Sequence, residues 1–96
     1  MAEQMRGFEA TKAMRLTNAQ RDGAEALFSS ARADADDTAQ AMRWAHEQCG
    51  QVLDPHTAIG LHAARSSGLA PEIPVVTLAT AHPAKFPGPV ARATGL

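Results

Sequence analysis

Cysteine is nearly absent from this sequence, and so are aromatic residues. Cys49 is the single cysteine, so no internal disulfide can form, and a reducing, cytoplasmic setting fits. Tyrosine is missing and aromatics make up 4% of the chain. With a net charge of -1 and no basic stripe, the chain lacks the features of a nucleic-acid-binding surface. No apolar run approaches the ~20 residues of a membrane span, and the first residues, with Glu3, Arg6 and Glu9, do not read as a secretory signal. Lysine is scarce too, at Lys12 and Lys85 only, and the seven glycines are scattered rather than grouped in a phosphate-binding loop. Ninety-six residues make one domain at most, or a piece of a larger one. A chain of this size buries about 60–70% of its extended surface, which leaves little room for an enclosed ligand cavity.

What is present is mostly helix signal. Residues 1–16 carry no clear period; Met14 and Leu16 alternate around Arg15 as in a very short strand. Thr17 and Gln20 have capping-box spacing, followed by an apolar stripe of Ala19, Ala24, Leu27, Phe28 and Ala31. Arg21 and Glu25 lie four apart and can pair weakly. Residues 32–37 read as a polar connection. Asp37, with Gln40 in the reciprocal position, is expected to cap a second helix running to about Cys49. Met42, Ala45 and Cys49 mark its buried stripe, Trp44 flanks it, and Gly50 supplies a left-handed stop. Asp54 and Pro55 have the order of an N-cap and a first helical residue. The helix they open has Ala58, Ile59, Leu61, Ala63 and Ala64 on nearly every side, a pattern that expects neighbours all round.

Val75-Val76-Thr77-Leu78-Ala79 is a short continuous apolar run rich in β-branched residues. It reads as a strand covered on both faces, as in a parallel sheet. Pro83 then opens a last short helix with Phe86 and Val90 inward, and Gly88, Pro89 and the tail after Ala91 are expected to fray. The fold class expected is therefore an α/β fragment, with three to four helices and one or two short strands, in a single domain over 1–96. Residues 1–16 and 92–96 are expected to be loosely ordered. A lone buried strand cannot pair its own N–H and C=O groups. The rest of the sheet is thus expected from another chain or from further protein.

Two stretches are more specific than propensity explains. They are Leu53-Asp54-Pro55-His56-Thr57-Ala58-Ile59-Gly60 and Leu78-Ala79-Thr80-Ala81-His82-Pro83-Ala84-Lys85-Phe86-Pro87. In this order, with a Met42-Arg43-Trp44 helix before them, they closely resemble the C-terminal part of threonine synthases. The resemblance covers about residues 8–92. It implies a fold type II sheet of the tryptophan-synthase-β kind and an enzyme that turns O-phosphohomoserine and water into threonine and phosphate with pyridoxal phosphate. It also implies that Thr80 is the neutral hydroxyl facing the cofactor's pyridine nitrogen. The end of a buried parallel strand is a usual place for a ligand contact. His82 either caps the following helix or lies near the cofactor. Lys85 either attracts a substrate phosphate at its helix start or is simply solvated.

The departures are equally informative. The family's cofactor-carrying lysine and glycine-rich loop belong to motifs that neither Lys12, Lys85 nor the glycines here reproduce. No catalytic residue is therefore assigned, and the chain alone is expected to be inactive and to bind no cofactor, its partner being the remainder of a threonine synthase. The competing expectation is a small stand-alone interaction module that forms a homodimer by strand pairing or binds a partner. Neither expects a membrane or nucleic-acid partner. His46, Cys49, His56 and His62 do not have the convergent spacing of a metal site, and Cys49 is expected to be buried at its helix end. Asp54 and Thr57 are expected to cap their helix, and His56 to be structural.

Overall fold

The computed structural model describes residues 2–96. It resolves into two compact units, one ending at Ser30 and one spanning Ala31–Leu96.

The first unit holds α1 (Ala2–Thr11) and α2 (Asn18–Glu25). The short strand expected near Met14 does not form; residues 13–17 are irregular coil. Lys12 ends α1 in the left-handed region at φ 58, its N–H donating to the Phe8 carbonyl at 2.7 Å. Thr17 caps α2 as its spacing predicts. Its Oγ1 accepts from the Gln20 N–H at 3.2 Å, and the Gln20 Oε1 accepts from the Thr17 N–H at 2.9 Å. Arg21 and Glu25 pair at 2.9 Å, on an exposed face where such a pair contributes little. The predicted apolar stripe does not turn inward. α2 stops at Glu25, and neither helix has a buried residue.

The second unit holds α3 (Ala35–Cys49), α4 (Pro55–Arg65), a 3-10 turn (Pro83–Lys85) and α5 (Pro87–Thr94). α3 packs on both α4 and α5. Their shared core is small: Ala41, Met42, Ala58, Val90 and Ala93, flanked by Ala39, Val52 and Leu61. Alanines let the helix backbones approach closely, and Met42 fills the remaining space. Arg43 adds a polar tie, its Nε donating to the Ala93 carbonyl at 3.1 Å. On the other side the Arg65 guanidinium lies 4.1 Å over the Trp44 ring.

Several helix boundaries differ from the sequence reading. The N-cap of α3 is Asp34, not Asp37; Asp37 is the reciprocal partner in that capping box. α5 continues to Thr94 rather than fraying after Ala91, and Gly95 closes it at φ 78. Pro87 and Pro89 fall in its first turn, where a missing N–H breaks no helical bond. Cys49 is exposed, not buried. α4 is not enclosed all round, since Ile59 and Gly60 face solvent.

The larger correction is to the fold class. The described residues are all helix, turn and coil, with no strand and no sheet. Val75–Ala79 is irregular, and Val76 and Leu78 are 84% and 74% exposed. Among the described residues no partner backbone lies alongside it. Without one, β-branched composition alone does not make a strand.

Candidate functional site

α4 starts at a sharply defined turn. Asp54 precedes Pro55, whose ring presets the first helical φ. Asp54 is 1% exposed. Its carboxylate accepts the His56 N–H at 2.9 Å and the Thr57 N–H at 3.4 Å. It also accepts the Thr57 hydroxyl, and the His56 Nδ1 lies 3.1 Å away. Burial pushes the Asp54 pKa up. The hydrogen bonds from the Thr57 hydroxyl, the two N–H groups and the His56 ring outweigh that, and the net position is below the ordinary aspartate value.

Thr57, itself buried, reaches away from its helix. Its Oγ1 accepts the Thr80 backbone N–H at 3.1 Å, across 23 residues of chain. A second contact lies at the far end of the same segment. The His56 ring meets the Phe86 ring edge-on, centroids 4.9 Å apart and planes at 60°. The two distinctive sequence stretches are thus the two that touch.

The candidate residues sit on the segment held this way. Thr80 is exposed, and its hydroxyl has no hydrogen-bond partner among the described residues. His82 is exposed and caps the 3-10 turn, its Nδ1 accepting the Ala84 N–H at 3.1 Å. Lys85 is exposed and closes that turn rather than opening a helix. His46, Cys49, His56 and His62 do not gather; no cluster of three or more metal-ligating side chains occurs among the described residues. An open groove of ≈ 170 Å³ lies beside the tether, lined by Trp44, Leu53, Thr57, Leu61 and Thr77 among others. That is below the ~300–1,000 Å³ typical of ligand pockets. The role of Thr57 toward Thr80 was missed by sequence reasoning, which gave it only a capping role. Its one sequence signal was that both distinctive stretches belonged to a single resemblance.

No described helix is long and apolar enough to cross a membrane. Residues 57–96 match the family described as "Threonine synthase, C-terminal". The chain is 37% identical over 93 residues to the threonine synthase of Pseudomonas aeruginosa, covering 97% of this chain and 20% of that protein. It is 33% identical over 78 residues to the threonine synthase of Corynebacterium glutamicum, covering 81% and 16%. The structure of PLP-bound threonine synthase from Brucella melitensis matches with a TM-score of 0.84 and 35% identity, over 99% of this chain and 20% of that one. The chain therefore spans about a fifth of the length of the relatives it matches. Sequence, fold and the paired stretches around Asp54 and Thr80 agree that this chain belongs to the threonine synthase family, with residues 57–96 falling in its C-terminal region.

Proposed function

We propose that this chain works as part of a threonine synthase, forming threonine and phosphate from O-phosphohomoserine and water, and that it contributes the Thr80 hydroxyl to the pyridoxal phosphate site. The observation that supports this reading best is Thr80 itself. Its backbone is fixed by Thr57 at 3.1 Å while its side chain stays exposed and uncommitted. A hydroxyl in that condition suits the edge of a pyridine ring, to which it can donate a hydrogen bond while remaining neutral. When bound, the cofactor supplies the electron sink for the chemistry at the substrate carbons.

The residues present fit one end of the cofactor and not the whole. Lys12 and Lys85 are both exposed, without the desolvated surroundings of a nucleophilic lysine. Gly50, Gly68 and Gly95, the glycines with positive φ, are separate stops and not one phosphate-binding loop. The lysine and the phosphate cradle of the proposed site are therefore assigned to the remainder of the enzyme. Lys85 is a candidate for the substrate phosphate and His82 for the cofactor's vicinity. Both are exposed on the segment that carries Thr80.

The test is to exchange this chain for the homologous segment of the Pseudomonas aeruginosa enzyme and follow threonine and phosphate release. Activity is expected with Thr80 and with Thr80→Ser. Thr80→Val is expected to lower kcat and alter the cofactor's absorbance. Full activity and an unchanged spectrum in Thr80→Val would remove the role given to Thr80.

A further inference from the structure

The hydrogen bond from Thr80 to Thr57 is one half of a larger arrangement. Residues 80–86 carry Thr80, His82 and Lys85, and they contact the first turn of α4 at both ends. Thr80 is held by the Thr57 Oγ1 at 3.1 Å, and Phe86 by the edge of the His56 ring at 4.9 Å. Asp54 organises both contacts. One of its oxygens accepts a hydrogen bond from the Thr57 hydroxyl, and the other faces the His56 Nδ1 at 3.1 Å.

The direction of each bond follows from the donor inventory. An ionised carboxylate only accepts, so the Thr57 hydroxyl must donate to it. That proton being committed, the Oγ1 lone pairs turn outward to accept the Thr80 N–H. Asp54 thus fixes the polarity of a relay that ends at the Thr80 backbone. Burial strengthens the constraint, because a wrongly oriented hydroxyl at 5% exposure has no water to turn to.

We propose that Asp54, His56 and Thr57 are positioning residues for the threonine synthase site: together they clamp residues 80–86 at both ends and so aim the Thr80 hydroxyl at the cofactor. This rests on the role given to Thr80 above. It adds a cause for that role, and it assigns to the Asp54-Pro55-His56-Thr57 turn a task beyond capping α4.

Three substitutions separate the clamp from simple helix capping. Thr57→Val removes the acceptor for the Thr80 N–H, and Thr57→Ser keeps it. Asp54→Asn keeps a good N-cap but places an NH2 where only acceptors stood, so the Thr57 hydroxyl can reverse. In the 96-residue chain, amide exchange of Thr80 read by NMR is expected to quicken about fivefold in Thr57→Val, the equivalent of one net hydrogen bond. Thr57→Ser should restore the protection, with circular dichroism confirming that the helices persist in each variant. In the segment-exchanged enzyme, Thr57→Val and Asp54→Asn are expected to shift the cofactor absorbance in the same sense as Thr80→Val. They should lower kcat with little change in KM, and Thr57→Ser should revert the shift.

The outcomes are distinguishable. Unchanged Thr80 exchange in Thr57→Val overturns the clamp outright. A cofactor spectrum that responds to Thr80→Val but not to Thr57→Val overturns the clamp and leaves the role of Thr80 intact. A spectrum indifferent to both overturns the reading of Thr80 and, with it, any task for the clamp.

Discussion

Asp54 is a buried charge that remains charged. Desolvation works against it, yet four donor groups converge on its two oxygens, and the balance leaves its pKa depressed. A carboxylate with a depressed folded pKa stabilises the native state fully above its unfolded pKa, about 4. That contribution is lost as pH falls through the folded value. Asp54→Ala removes both the cap and the acceptor for the Thr57 hydroxyl, and should cost about 1–3 kcal/mol at pH 7. Urea unfolding followed by the fluorescence of Trp44, the one tryptophan, reads this directly. The difference between Asp54→Ala and the unaltered chain should narrow as pH is taken from 7 to 3. A gap that stays constant over that range would mean the carboxylate's charge contributes nothing to folding. Asp34 also has a lowered pKa, first from the Asp37 N–H it accepts, so an acid sensitivity of the same sign at α3 is expected in both proteins.

The helices end where single residues require it, and glycine shows the contrast best. Gly50 stops α3 at φ 66, with its N–H on the His46 carbonyl at 3.1 Å and the Gln51 N–H on the Ala45 carbonyl at 3.1 Å. A side chain there meets no neighbour, so the cost of Gly50→Ala is backbone strain alone, about 1 kcal/mol. Gly60 lies inside α4 with open space at its Cβ position. Gly60→Ala should therefore stabilise the chain by about 0.5–1 kcal/mol. Opposite shifts in the thermal midpoint are the expected result; shifts of the same sign would contradict the assigned backbone geometry. These local signals were also the legible ones. Thr17, Gly50, Asp54 and Pro55 were read correctly because caps are decided within a few residues of sequence. The α3 start was misplaced because Asp34–Asp37 and Asp37–Gln40 both have capping-box spacing, and only the first is used. α5 was read as fraying because chain ends usually do, although Gly95 closes the helix and both prolines fall where no helical N–H is needed. α1 gave no reliable period at all. The Val75–Ala79 strand failed for a different reason. Pairing is decided by a neighbouring backbone, which no local pattern records. The candidate site was half legible: the sequence singled out Thr80 as a candidate and Asp54 as a cap, while the contact joining their two stretches, Thr80 to Thr57, crosses a gap that spacing cannot measure.

At the scale of the whole chain, the apolar surface is distributed against the usual order. The core of the second unit consists mainly of alanines with Met42 and Val90, while Leu27, Phe28, Val76 and Leu78 stand 72–84% exposed. Isolated exposed apolar residues are ordinary, but an uncovered run such as Val75–Leu78 is not. Its backbone N–H and C=O groups also have no partner among the described residues. The 96 residues by themselves should consequently bind a dye such as 8-anilinonaphthalene-1-sulfonate under native conditions. Val76→Thr together with Leu78→Thr should weaken that binding, and should leave the unfolding of the α3–α5 unit nearly unchanged, because neither side chain contributes to its core. In the segment-exchanged enzyme the prediction reverses. If residues 75–79 are covered there by the rest of a threonine synthase, the dye signal falls and the same pair of substitutions becomes destabilising, by about 1–3 kcal/mol for two part-buried aliphatic side chains made polar. Equal tolerance of the substitutions in both settings would show that this apolar segment faces solvent in the assembled enzyme as well, and that Thr80 is held by its clamp on α4 without support from the chain that precedes it.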